Sequence, residues 1–168
     1  KNFGDTGSKH IPDWVFNTNR EFCTGILNGY AAGDGSKTSP MDSSGNHCPE
    51  VSITSIRESL VTQVRDIAAA LGYGWGRIQF KQGGLLYGRN CKDCWVLYFS
   101  GDAARKIRAN LNLQVHPGGR PSNNRYRIDN GAVWIRVRET STAPPCGHVV
   151  DIEVDHPDHS FRTLHFAI

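Results

Sequence analysis

Apolar residues recur along the first two thirds of this chain with two alternating periods. Between Leu60 and Leu71 the period is helical, with Leu60, Val61, Val64, Ile67, Ala68 and Leu71 falling on one side. Gly72 follows as a helix stop, and Ser55 with Glu58 three residues later has the spacing of a capping box at the start. Two-residue periods flank this helix. Val51-Ser52-Ile53 reads as a short strand. Trp75 to Lys81 alternates, with Ile78 and Phe80 on one face and Arg77, Gln79 and Lys81 on the other. Trp95 to Phe99 is a further strand, and Ser100-Gly101-Asp102 opens a helix through Leu111. With a small-residue helix near Leu27, the predicted order is helix, two strands, helix, two strands, helix, an α+β arrangement.

Beyond Leu111 the helical period is lost. Residues 115–124 are rich in Pro, Gly, Ser and Asn and read as a linker or surface loop. Strands are expected from Ala132 to Arg138, from His148 to Val154, and again toward Leu164-His165-Phe166-Ala167-Ile168. The expected organisation is therefore 1–111 as one α+β subdomain, 112–131 as a connector, and 132–168 as an all-β segment.

The small-residue helix carries the chemistry. Gly25, Gly29 and Gly33 recur every four residues and stack on one helix face, leaving a flat strip where a second backbone can approach. Glycine lowers helix propensity by about 1 kcal/mol per residue, so three in one helix call for a packing reason. Asp34 falls at the C-terminal end, where outward carbonyls already make the field negative. A carboxylate there is unfavourable alone and favourable beside a divalent cation. The same residues also suit a glycine-containing core helix closed by a Gly-Asp-Gly turn.

Residues 27–35, Leu27-Asn28-Gly29-Tyr30-Ala31-Ala32-Gly33-Asp34-Gly35, resemble the name motif of the LAGLIDADG homing endonucleases. Leu27, Gly29, Asp34 and Gly35 match it, and Ala32 stands where the first acid of the name would be. The lead-in Lys9-His10-Ile11-Pro12-Asp13-Trp14-Val15-Phe16-Asn17, then Arg20-Glu21, is similar to family members found inside inteins. The resemblance implies an αββαββα subdomain whose helices cover one face of a curved sheet while the other lies in the DNA major groove. It implies Asp34 as the metal-binding acid, with Mg²⁺ shared between two such helices for phosphodiester cleavage. It implies double-stranded DNA as partner, contacted by Arg77, Gln79 and Lys81, whose side chains suit guanine edges, adenine edges and phosphates. Lys37, Arg89 and Lys92 are further candidates for phosphate contact. The family often places a lysine just before the last helix, and Phe99-Ser100-Gly101 offers none, so Lys81 or Lys106 is the expected substitute and nuclease activity is in doubt.

The C-terminal segment resembles the closing block of an intein splicing (Hint) domain. Asp151 sits in a valine-rich strand, Asp155-His156-Pro157-Asp158 forms an acidic turn, and His159-Ser160-Phe161 supplies the histidine step, with seven residues from Arg162 to Ile168. The resemblance implies a following His-Asn pair, with the Asn amide as nucleophile and His159 assisting by proton transfer. Asp151 would orient water and the first nucleophile. Lys1 is no initial nucleophile, and no Thr-x-x-His step occurs in the first half. The expected unit is therefore a C-terminal intein part, for example the C-fragment of a split intein. It would act with an N-terminal intein fragment or preceding half and with flanking extein.

Charge and cysteines refine this picture. A net charge of +3 and a pI near 8.7 permit nucleic-acid binding without demanding it. Cys91-Lys92-Asp93-Cys94, with Cys146-Gly147-His148 and Cys48 or His10, offers a rival zinc reading. The second pair lacks knuckle spacing, and Cys94 runs directly into a strand. Five cysteines without a signal-like or membrane-spanning segment point to free thiols and a cytoplasmic location. Two alternatives remain open. One is a free-standing homodimeric endonuclease or RNA-binding maturase. The other is a non-catalytic DNA-binding module.

Overall fold

The helical stretch ending at Gly33 and the two strand pairs after it build one antiparallel sheet with helices on one side. A computed structural model describes residues 8–86, 88–115, 126–129 and 132–135. The chain divides into two units, Lys1–Arg136 and Val137–Ile168, and every described residue belongs to the first.

A short 3-10 helix (Asp13–Asn17) leads into α1 (Arg20–Gly33), whose start is capped by Asn19 accepting the Phe22 N–H. Then come β1 (Gly35–Thr38), β2 (Glu50–Ser55), α2 (Glu58–Ala70), β3 (Arg77–Lys81), β4 (Gly84–Leu86), β5 (Arg89–Cys91), β6 (Cys94–Ser100) and α3 (Gly101–Asn110). The main sheet has the order β1-β2-β6-β3, antiparallel throughout. A separate hairpin, β7 (Tyr126–Asp129) with β8 (Ala132–Ile135), follows. The α+β class expected from the sequence is present, with helix-strand-strand-helix-strand-strand-helix order once β4 and β5 are set aside.

Those two short strands extend β3 and β6 without a register slip. Lys81 opposes Cys94, and three residues on Gly84 opposes Cys91, so residues 77–98 form one long hairpin interrupted around residues 82–83 and 92–93. Asp93 accepts the Gly83 N–H at the break, at 2.7 Å. Gly88, at φ 76°, sits at the tip, where two-residue turns require a left-handed residue.

Alternation divides the sheet into two faces. Val51 pairs with Phe99 and Ile53 with Leu97, and all four side chains join Leu60, Val61, Val64, Ile67, Ala104 and Ile107 of α2 and α3 in the core. Leu27 and Ala31 bring α1 to the same side. The lead-in is fastened to α2 because the Gln63 amide meets both backbone groups of Ile11 at 2.8 Å. Helix ends are closed tightly. At α2, Tyr73 N–H reaches Ala68 C=O and Gly72 N–H reaches Ala69 C=O, and α3 repeats the pattern with Asn112 at φ 55°. Buried Arg108 donates to the carbonyls of Gln114 and Thr38, tying the residues after α3 to β1.

Two elements differ from expectation. The capping box is not made: Ser55 ends β2, its Oγ accepts the Arg57 N–H, and α2 starts at Glu58 without a side-chain cap. Tyr126–Asp129, inside the stretch read as a connector, is a strand. The strand expected over Ala132 to Arg138 is described only to Ile135. The strands expected from His148 to Val154 and toward Ile168 lie outside the described residues, as do Asp151 and His159.

The glycines of α1 separate into two kinds. A Cβ at Gly25, Gly29 or Gly33 would meet no described atom within 4 Å, whereas at Gly35 it would collide with the Ala31 carbonyl. At concentrations where the chain is monomeric, Gly29→Ala should raise stability by up to about 1 kcal/mol. Gly35→Ala should lower it by about 1–3 kcal/mol. Urea midpoints at unchanged slope read both effects, and an equal loss at the two positions would contradict the open strip.

Candidate nucleic-acid interface

The face of the sheet turned away from the helices is polar and basic. Register places Arg77, Gln79 and Lys81 of β3 on it, beside Tyr98, Val96 and Cys94 of β6, Glu50, Ser52 and Thr54 of β2, and Ser36 and Thr38 of β1, so its described cations on β3 outnumber one acid, Glu50. Val96 is buried there yet stands outside the core cluster, which marks this face as the second side of the sheet. Tyr98 is the centre of the basic edge. The Arg77 guanidinium lies 5.0 Å from its ring centroid and the Lys81 ammonium 5.5 Å. The Tyr98 phenol also holds the Lys81 ammonium above its ordinary pKa, so this cation stays charged across the accessible pH range. Hydroxyls, an amide and two cations on a pleated surface can contact phosphates and base edges together.

The other candidates fall elsewhere. Arg89 and Lys92 are exposed on the outer part of the long hairpin, along the same arm as Arg77. Lys37 is on the helix-facing side, and its ammonium bonds the carbonyls of Ala31 and Ala32 at 2.9 and 3.1 Å. There it satisfies orphan acceptors at the end of α1 and opposes the helix dipole. Lys106 donates to the Gly72 carbonyl at the end of α2.

Asp34 is the C-cap residue of α1 and is exposed. It lines a cleft of about 170 Å³ with Tyr30 of α1, Ile53 to Ser55 of β2, Arg57 and the first turns of α2, and Lys9 of the lead-in. Burial, and then the Asp34 charge, push the Tyr30 phenol above its ordinary pKa, which leaves it a protonated donor at neutral pH. Gly25, Gly29 and Gly33 are exposed along the same helix, continuous with Phe22 and its ring partner Trp14, at 42% and 45% exposure. This side of α1 is apolar and open among the described residues.

Divalent cations such as Mg²⁺ need several hard oxygen ligands. Among the described residues Asp34 is the single carboxylate lining the cleft, and Lys37 already occupies two nearby carbonyls. No group of three or more His, Cys, Asp or Glu gathers among the described residues, and Cys23, Cys48, Cys91 and Cys94 are free thiols. The described residues of one chain thus do not complete a cation site, and zinc at Cys91 and Cys94 finds no further ligand among them.

No family model matches the chain, and no curated protein does. The site therefore stands on its own geometry. Among the described residues no helix is long and apolar enough to cross a membrane.

Tyr98 and Arg57 are not singled out in the sequence, and Lys9 only as part of the lead-in, without a site role. Tyr98 was legible in principle, because a strand that buries Trp95, Leu97 and Phe99 must turn Val96 and Tyr98 to the opposite face. Lys9 and Arg57 carry no such signal, since only folding brings residues so far apart in sequence to one cleft.

Lys37→Met removes the charge at the end of α1 without touching the open face. Its expected cost is about 0.3–1 kcal/mol in urea unfolding at low salt. That cost should shrink in high salt through screening.

Proposed function

We propose that this chain is the C-terminal part of an intein carrying a LAGLIDADG endonuclease, with its open sheet face laid on duplex DNA. The observation that carries this reading is the basic sheet face that the helices leave open among the described residues, in a molecule whose first helix ends on Asp34. Arg77, Gln79 and Lys81 read the groove, Tyr98 braces the two cations, and Arg89 and Lys92 extend the contact along the hairpin arm. The open glycine strip receives a second helix, either from the preceding half of the protein or from another copy. Asp34, with an acid on that partner helix, would hold Mg²⁺, which would supply charge stabilisation for phosphodiester cleavage. The closing segment, with Asp151 and His159, belongs to the splicing domain and works with an N-terminal intein part and its exteins. This reading rests on the wording of residues 151–168 alone. A cytoplasmic setting suits the free thiols.

A non-catalytic DNA-binding module is the second reading, favoured by the lone carboxylate in the cleft.

Duplex binding measured against salt tests the sheet face. Arg77→Gln and Lys81→Gln should each reduce the slope of log K against log salt by about 1 if they touch phosphate. A base contact instead costs about 1–3 kcal/mol at one sequence position. Unchanged slope and unchanged sequence preference in both variants would sink the assignment. Mg²⁺-dependent nicking that is lost in Asp34→Asn while binding persists favours the nuclease, and binding indifferent to both favours the module. For the splicing part, mixing with N-terminal intein fragments after restoring His-Asn and a short extein should yield a ligated mass, lost in His159→Ala.

A further inference from the structure

Two cations in the Asp34 cleft are unused by the reading of the sheet face. Arg57 is half-buried, and its Nε is sequestered from solvent with no hydrogen-bond partner among the described residues. Such an N–H is costly to leave bare, and an acceptor brought in by a ligand is one way to satisfy it. Lys9 lines the same cleft. It is exposed and stands two residues before Ile11, whose backbone the Gln63 amide fixes to α2, so the lead-in is held at the cleft. Two cations against one carboxylate, with the Tyr30 phenol neutral, leave the lining side chains at a net positive charge. Leu60, Val61 and Val64 line the cleft too, and apolar walls strengthen ion pairing by excluding water. Its volume of about 170 Å³ corresponds to roughly five or six waters, room for an oxyanion and little more.

We infer that Lys9 and Arg57 form a phosphate-binding pair in this cleft and position a phosphodiester beside Asp34. Arg57 supplies a guanidinium fork suited to phosphate oxygens, and Lys9 a point charge. Lys81 and Lys106, the expected stand-ins for a cation near the acid, are held on β3 and at the end of α2 and do not line the cleft. The diester as source rests on the DNA reading, while the phosphate chemistry does not.

The test follows the Arg57 Nε–H signal by NMR in the full chain, titrated with inorganic phosphate and, separately, with a thymidine dinucleotide. A saturable shift with the dinucleotide is expected, weakened about tenfold or more in Lys9→Gln, the loss of one charge-assisted contact. Arg57→Lys, followed through the Leu60 amide, should retain part of the affinity that Arg57→Gln loses. A shift with inorganic phosphate alone upholds the pair and assigns it to free phosphate. No saturable shift with either probe, or equal affinity in Lys9→Gln with an unchanged amide spectrum, overturns it. Duplex binding that ignores Arg77→Gln and Lys81→Gln would remove the DNA reading and leave this result standing.

Discussion

Everything in the described fold depends on the antiparallel pairing of β2 with β6. That register sets Val51 against Phe99 and Ile53 against Leu97, on the side where all three helices pack. Because side chains alternate along a strand, the same register turns Ser52, Thr54, Val96 and Tyr98 the other way. A slip by one residue would exchange the faces, burying hydroxyls and exposing the core. The hydrophobic effect therefore specifies the polar face indirectly, by specifying the apolar one.

A second constraint acts where α1 turns into β1. Gly35 brings the backbone against the Ala31 carbonyl, closer than any side chain would allow, and Lys37 folds back onto the last carbonyls of the helix. With Leu27 and Ala31 buried below, this corner presents Asp34 at the rim of a cleft and leaves the glycine face of α1 outward. The acid and the strip thus have one cause, the angle at which α1 meets the sheet. The Gln63 clamp on Ile11 completes the corner by drawing the lead-in to the same end of the molecule.

The misreadings share a physical origin. Ser55 and Glu58 have capping-box spacing, but Ser55 pairs with Trp95, and the sheet ladder holds it in the strand. Gly35-Ser36-Lys37-Thr38 has no apolar period at all, and its strand exists because β2 offers an unpaired edge. Leu85, Arg89 and Asn90 carry no apolar period, yet they continue the β3–β6 hairpin by backbone pairing. For Ser55 and for residues 35–38 a partner distant in sequence outweighed a local preference.

By itself the sequence determined the elements whose own side chains carry the pattern: α2 with its leucine and valine stripe, β3 with its alternating cations, the Trp95–Phe99 strand, and the small-residue helix ending in Asp34. Burying an apolar stripe is a local requirement written at fixed spacing, so it is legible residue by residue. The tertiary structure alone decided that Tyr98 would lie between Arg77 and Lys81, that Lys37 would close a helix instead of facing outward, and that Lys9 and Arg57 would share a cleft with Asp34. Those meetings depend on strand register and helix docking, which arise from many weak contacts acting together, and no short stretch of sequence encodes them.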